Sequence, residues 1–292
     1  MKIPRAIAAL TILWLVAAPS LAQAAEAAAP SRSARTLAVI PFYSPERMWI
    51  LYTPLIEYLR RETGEPWELK LYPNHDTMIA GVCAGEVDVT LLGPVPLGRV
   101  NSACGALPFL APLDKAGQPL FHAVLLSSDP AVTTVAGLRG KKIGFFKGST
   151  GAHIIPLKML GDAGLGPGTF EPVFYEGQDR IMTALLAREI AGAGVKEALY
   201  HRFEKDPVRL LQTSEPLPNF AFVALPSQPA ALRARFVAAL LKLAPRERPA
   251  DAEIVKGWDD EIRNGFVIPA PDFLPSVLKV YDIYEAVMHE SH

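Results

Sequence analysis

The chain has 292 residues, half of them apolar, and its 29 Lys and Arg against 30 Asp and Glu leave a net charge of −1. That balance argues against a nucleic-acid partner, whose phosphates demand clustered positive charge, and the length suffices for two cores of ordinary domain size. Cys83 and Cys104 are the whole thiol inventory; no chelating His/Cys cluster and no nucleotide motif points to a cofactor.

Lys2 and Arg5 precede an apolar run from Ala6 to Ala18, and Ala22-Gln23-Ala24 forms a small-residue cleavage pattern. About a dozen apolar residues are too few to span a bilayer, so residues 1–24 read as a signal peptide cleaved near Ala24, which places the product in the periplasm. Without Lys2 and Arg5 the charge falls to about −3. In an oxidising compartment the two cysteines either pair or remain separate thiols.

A polar, Ala-rich linker covers 25–35. Strand and helix then alternate: Leu37–Ile40 as strand, Met48–Arg61 as helix stopped by Gly64, Trp67–Tyr72 as strand, His75–Gly85 as helix, and Val87–Leu92 as a strand ending at Gly93-Pro94. The pattern repeats beyond Phe121–Ser127, with Ile143–Phe146 as strand and the loop Lys147–Gly151 opening a helix to Gly161. Phe170–Tyr175 reads as strand, Gln178–Arg188 and Val195–Phe203 as helices, Val208–Gln212 and Phe220–Ala224 as strands, and Ala230–Leu243 and Pro275–His289 as helices. The expected fold is α/β with two lobes: lobe 1 over 36–120, lobe 2 over 121–224 with a hinge strand at each end, and C-terminal helices over 225–292 packing on lobe 1. Each lobe should hold a mainly parallel sheet flanked by helices, and a ligand should sit in the cleft at the strands' carboxyl ends.

Four motifs occur in order: Pro54-Leu55-Ile56-Glu57-Tyr58-Leu59, Gly85-Glu86-Val87-Asp88 through Gly93-Pro94, Gly137-Leu138-Arg139-Gly140-Lys141-Lys142, and Ser149-Thr150-Gly151-Ala152 followed by Pro156. In this set the chain resembles the phosphate/phosphonate-type periplasmic binding proteins over roughly Val39 to Pro226. The resemblance implies a type II periplasmic binding protein, a solute binder and not an enzyme. It also implies a ligand gripped at Ser149, Thr150 and Gly151, where unpaired N–H groups, two hydroxyls and a side-chain-free position converge. An ordinary N-cap is the plainer account of the same residues. By analogy Tyr43 and Ser44 form the first cleft loop.

Departures from the family bear on the ligand. Its phosphonate binders carry a Tyr at the position of Leu97, a His at Gln178 and an Asp at Ala191. Cys104 lies in the segment leaving the Gly93-Pro94 strand end, where it is either a soft ligand beside the cleft or a buried small residue. The resemblance extends to the family's arsenite-sensing branch, which implies arsenous acid as ligand, Cys104 as the arsenic(III) ligand and a membrane histidine kinase as partner. The alternative expectation is a phosphonate, phosphite or phosphate carrier serving an ABC permease. An enzyme with Cys104 as nucleophile and His153 as base lacks a third orienting group.

Overall fold

In this computed structural model, Met1 and residues 34–290 are described. The predicted signal peptide and most of the linker, together with the last two residues, lie outside the described residues. No helix among the described residues is long and apolar enough to cross a membrane.

Lobe 1 begins with β1 (Arg35–Val39), α1 (Pro45–Thr63), β2 (Trp67–Lys70), α2 (His75–Cys83), β3 (Val89–Leu92), α3 (Pro94–Cys104) and β4 (Leu107–Pro112). The chain crosses through β5 (Leu120–Phe121) into β6 (Ala123–Ser127), β7 (Lys142–Phe145), a π-helical turn at Thr150–Ile154, α4 (Ile155–Asp162), β8 (Glu171–Phe174), α5 (Gln178–Leu186), β9 (Gly192–Lys196), α6 (Glu197–Tyr200) and β10 (Arg209–Thr213). It returns through β11 (Leu217–Pro218) to β12 (Ala221–Ala224), α7 (Ala230–Leu241), α8 (Pro249–Val255), β13 (Phe266–Val267) and α9 (Phe273–Glu290).

Local chemistry explains where the cleft helices start. Ser44 Oγ accepts from the Arg47 N–H and Pro45 occupies the first helical position of α1; Asn74 Oδ1 accepts from the Thr77 N–H at 2.9 Å to start α2. Gly64 ends α1 with φ +68°, donating its N–H to Arg60 O, a conformation that costs glycine little. β3, β6 and β9 are buried along their whole length, as continuous apolar or small-residue strands should be.

Two sheets result, ordered β13-β4-β12-β3-β1-β2 and β10-β6-β9-β7-β8. They are mixed, not mainly parallel as expected. β1 runs parallel to β2 and β3, and β7 parallel to β8 and β9, but β12 enters the first sheet antiparallel to β3 and β4, and β6 the second antiparallel to β9 and β10. The reversal follows from the crossings, which deliver each entering strand from the opposite lobe. The crossings are narrower than predicted: β5 and β11 pair as a separate ribbon, Phe121 opposite Leu217, while Ala123–Ser127 and Ala221–Ala224 are ordinary sheet strands.

Further expectations need correction. Val195 and Lys196 close β9 and do not open a helix, because the small residues of Gly192–Val195 fill the interior of the second sheet. α3, β4 and α8 were not anticipated; Gly93-Pro94 was expected to end a strand, yet a proline at the first helical position suits a helix. α9 packs on both lobes: Tyr281 lies against Gly98 of α3, and Val280 joins the cluster of Ile154, Ile155 and Met159.

Candidate functional site

The strand ends of the two sheets face each other across a closed cleft. Its inner part is a chamber of about 20 Å³, whose wall includes Phe42, His75, Ser149, Thr150, Gln178 and Lys196. That volume holds little more than one water. Hydrogen bonds across the lobes keep it shut: the Gln178 N–H donates to Phe42 O at 3.0 Å, and the Val95 N–H at the start of α3 donates to the Thr150 side-chain oxygen Oγ1 at 2.9 Å. Outside lies a cleft of about 900 Å³ lined by Tyr43, Ser44, Arg99, Lys147, Tyr175 and Arg180 among others.

The Ser149-Thr150-Gly151 segment opens the π turn that runs into α4. Ser149 Oγ accepts from the Ala152 N–H at 3.3 Å, and the Ile154 N–H reaches back to Ser149 O at 3.0 Å. The opening turn leaves the Thr150 and Gly151 amides without an intrahelical acceptor, at the positive end of the helix dipole. A side-chain carbon on Gly151 would come within 3.0 Å of Phe121 and 3.6 Å of Lys196, so glycine lets these groups crowd together.

Of the predicted site residues, Ser149, Thr150, Gly151 and Gln178 meet at the chamber, while Tyr43 and Ser44 line the outer cleft. Gln178 Oε1 accepts from the Lys196 N–H at 2.9 Å. The tyrosine is pushed far above its ordinary range, first by burial and then by Asp259, so it stays a neutral phenol.

Cys104 belongs with neither group. It is disulfide-bonded to Cys83, closing a loop of 21 residues, so it has no thiolate for a soft centre. It also ends α3, about 15 Å along the helix from the Gly93-Pro94 end that borders the chamber. The expected arsenic(III) ligand is therefore corrected to a structural cystine. Two of the three positions compared with phosphonate binders shift as well. Leu97 is fully buried, and Pro96 faces the chamber in its place. Ala191 precedes β9 at the end remote from the cleft, where its N–H bonds Lys142 O; the residue β9 presents to the chamber is Lys196.

Sequence reasoning missed His75 and Lys196. His75 is the residue common to chamber and outer cleft. Its Nε2–H donates to Pro41 O at 3.0 Å, and its buried Nδ1 lies against the Gly148 backbone. Burial holds this imidazole down to about 4, so it is neutral at physiological pH. His153 is likewise held to about 4 by burial and then the Lys147 charge, and its Nδ1 accepts from the Gly148 N–H at 3.2 Å. Lys196 ends β9 and His75 opens the helix after β2, both at strand ends that meet the cleft, the place where open α/β sheets bind ligands; that position was the available signal.

Residues 37–272 match the family described as ABC transporter, phosphonate, periplasmic substrate-binding protein. The chain belongs to that family. This binding protein is 27% identical over 164 residues to the phosphate-import protein PhnD of Mycolicibacterium smegmatis, covering 51% of each chain, so it matches about half the length of that relative. Among solved structures it resembles PhnD1 of Prochlorococcus marinus in complex with methylphosphonate (TM-score 0.75, 11% identity, 88% of this chain and 98% of that one). It is similarly close to a binding protein component of an ABC phosphonate transporter from Pseudomonas aeruginosa (TM-score 0.76, 12% identity, 89% of each). These likenesses establish the two-lobed type II fold; at such identities they leave the ligand to be argued from the binding protein's own chamber.

Proposed function

We propose that this protein captures a small phosphorus oxyanion, a phosphonate, phosphite or phosphate, in the periplasm and presents it to an ABC permease. The observation that carries the reading is the set of donors that meets around one chamber. Thr150 and Gly151 offer amides at a helix start, and Thr150 adds a hydroxyl. Lys196 adds a buried cation to the same wall. A tetrahedral oxyanion meets this set, its oxygens accepting from the amides, the hydroxyl and the ammonium.

At about 20 Å³ the closed chamber admits such a ligand only after the lobes separate about the β5–β11 ribbon. Closure is then driven by ligand contacts made to both lobes, and the closed shape is what a permease distinguishes from the open one. The arsenite-sensing reading, with a histidine kinase as partner, rested on a free thiol at Cys104, and that sulfur is bonded to Cys83. No feature of the chamber favours it over the phosphorus oxyanion.

The test is calorimetric titration of the purified exported protein with phosphate, phosphite, methylphosphonate and arsenite. Micromolar or tighter binding of at least one phosphorus compound, with none of arsenite, is expected. Arsenite binding in the absence of any phosphorus ligand would overturn the reading.

A further inference from the structure

Lys196 ends β9 at the chamber wall, beside the donor cradle, and its side chain is 9% exposed. Its Nζ donates to Glu261 Oε2 and, at 3.2 Å, to Asn219 Oδ1. Asn219 is itself fixed, its Nδ2 donating to Pro112 O at 3.2 Å and its N–H to Pro119 O at 2.8 Å. The same ammonium sits 4.2 Å from the ring centroids of both Phe121 and Phe220, which stand edge to face at 87°. Paired aromatic faces at that distance form a receptor for a cation, and here a side chain of the protein fills it.

We propose that Lys196 sets the charge class of the ligand: the site takes phosphorus anions that carry no positive substituent, and Glu261 is the internal anion with which the ligand competes for Lys196. The inference rests on the oxyanion reading above. A ligand that brings its own ammonium meets a chamber whose cation receptor is already occupied by a like charge. A ligand without one finds a fixed positive group next to the Thr150 and Gly151 amides. Glu261 is 7% exposed, and its pairing keeps Lys196 from being an isolated buried charge in the resting protein. Burial draws the Lys196 ammonium below its ordinary range while Glu261 pulls it back up, so a second anion at the chamber favours the charged form further.

The experiment compares methylphosphonate with aminoethylphosphonate by calorimetry. Wild type should bind methylphosphonate at least about tenfold more tightly. Glu261→Gln should tighten methylphosphonate binding by roughly threefold to tenfold, because a competing carboxylate is neutralised. Lys196→Met alone would strand a buried carboxylate and risks misfolding, so the decisive variant is Lys196→Met/Glu261→Gln, which removes both charges at similar volume and is checked for folding by its melting curve. It should lose at least about tenfold in methylphosphonate affinity and discriminate between the two compounds by less than about threefold. A folded double variant that keeps the wild-type preference overturns the assignment to Lys196 and leaves the oxyanion reading standing. Wild type that binds neither compound, nor phosphate or phosphite, overturns both.

Discussion

Removing the Cys83–Cys104 bond separates stability from binding, and the two effects can be predicted independently. The bond closes a loop of 21 residues. The chain-entropy relation for a loop of that length gives about 11 cal/mol/K, or about 3 kcal/mol at 25 °C, taken from the unfolded ensemble. A chain of this size gains on the order of 0.5 kcal/mol/K of entropy on unfolding, so Cys83→Ser/Cys104→Ser should lower the melting temperature by about 6 °C. Ligand affinity should stay within about twofold of wild type, because Cys104 ends α3 on the side away from the chamber while Gly93 and Pro96 touch it. Differential scanning calorimetry reads the first quantity and isothermal titration the second, and a thiol-reactive dye should find no free thiol in the native wild type. A double variant that is folded at 25 °C yet no longer binds would return a cysteine sulfur to the site and refute this reasoning. An unchanged melting temperature would show that the bond does not constrain the unfolded chain.

Thr150→Val removes the acceptor of the Val95 N–H, a bond that exists only when the lobes are closed; the stranded amide costs about 1–3 kcal/mol in that state. Ligand affinity should therefore drop about tenfold or more, with Thr150→Ser restoring most of it and the melting temperature of the ligand-free protein little changed. Stability should rise with pH between about 4.5 and 6. There His75 and His153, both lowered by burial to about 4, stay neutral in the folded chain and protonate in the unfolded one, so their contribution is lost as pH falls from 6.5 toward 4. Asp259, raised by burial to about 6, has the opposite sign: its contribution is present below 3.8 and is lost as pH rises through 6. The net of one proton gives a slope of about 1.4 kcal/mol per pH unit from these groups, which His153→Gln should bring close to zero in denaturant titrations across that range.

Periodicity and breakers made most of the fold legible, because the alternation of strand and helix is written in residues that do not depend on distant partners. α1 shows this best: apolar spacing and the Gly64 stop placed it over Met48–Arg61, and the Ser44-Pro45 cap only starts it three residues earlier. The helix start at Ser149-Thr150-Gly151 was legible for the same reason, being contained in three consecutive residues. What the sequence could not show was created by the tertiary structure. Cys83 and Cys104 lie on different helices, and only the packing of α2 beside α3 brings their Cα atoms to 5.5 Å. Comparing single positions with relatives failed where the path of the chain mattered: Ala191 and Lys196 belong to one strand, but the strand delivers only the second to the chamber.

Lys196 marks the limit of reading residues one at a time. In sequence it is a lysine between an apolar stretch and an acidic residue, which suggests a solvated helix start. Its meaning comes from Phe121 on one crossing, Asn219 and Phe220 beside the other, and Glu261 far along the C-terminal segment. All four converge where the β5–β11 ribbon joins the sheets. The charge of the chamber and the proposed hinge of closure therefore draw on the same few residues. An anion that draws Lys196 away from Glu261 changes contacts on both sides of the crossing at once, so ligand charge and lobe closure should be coupled through this ion pair.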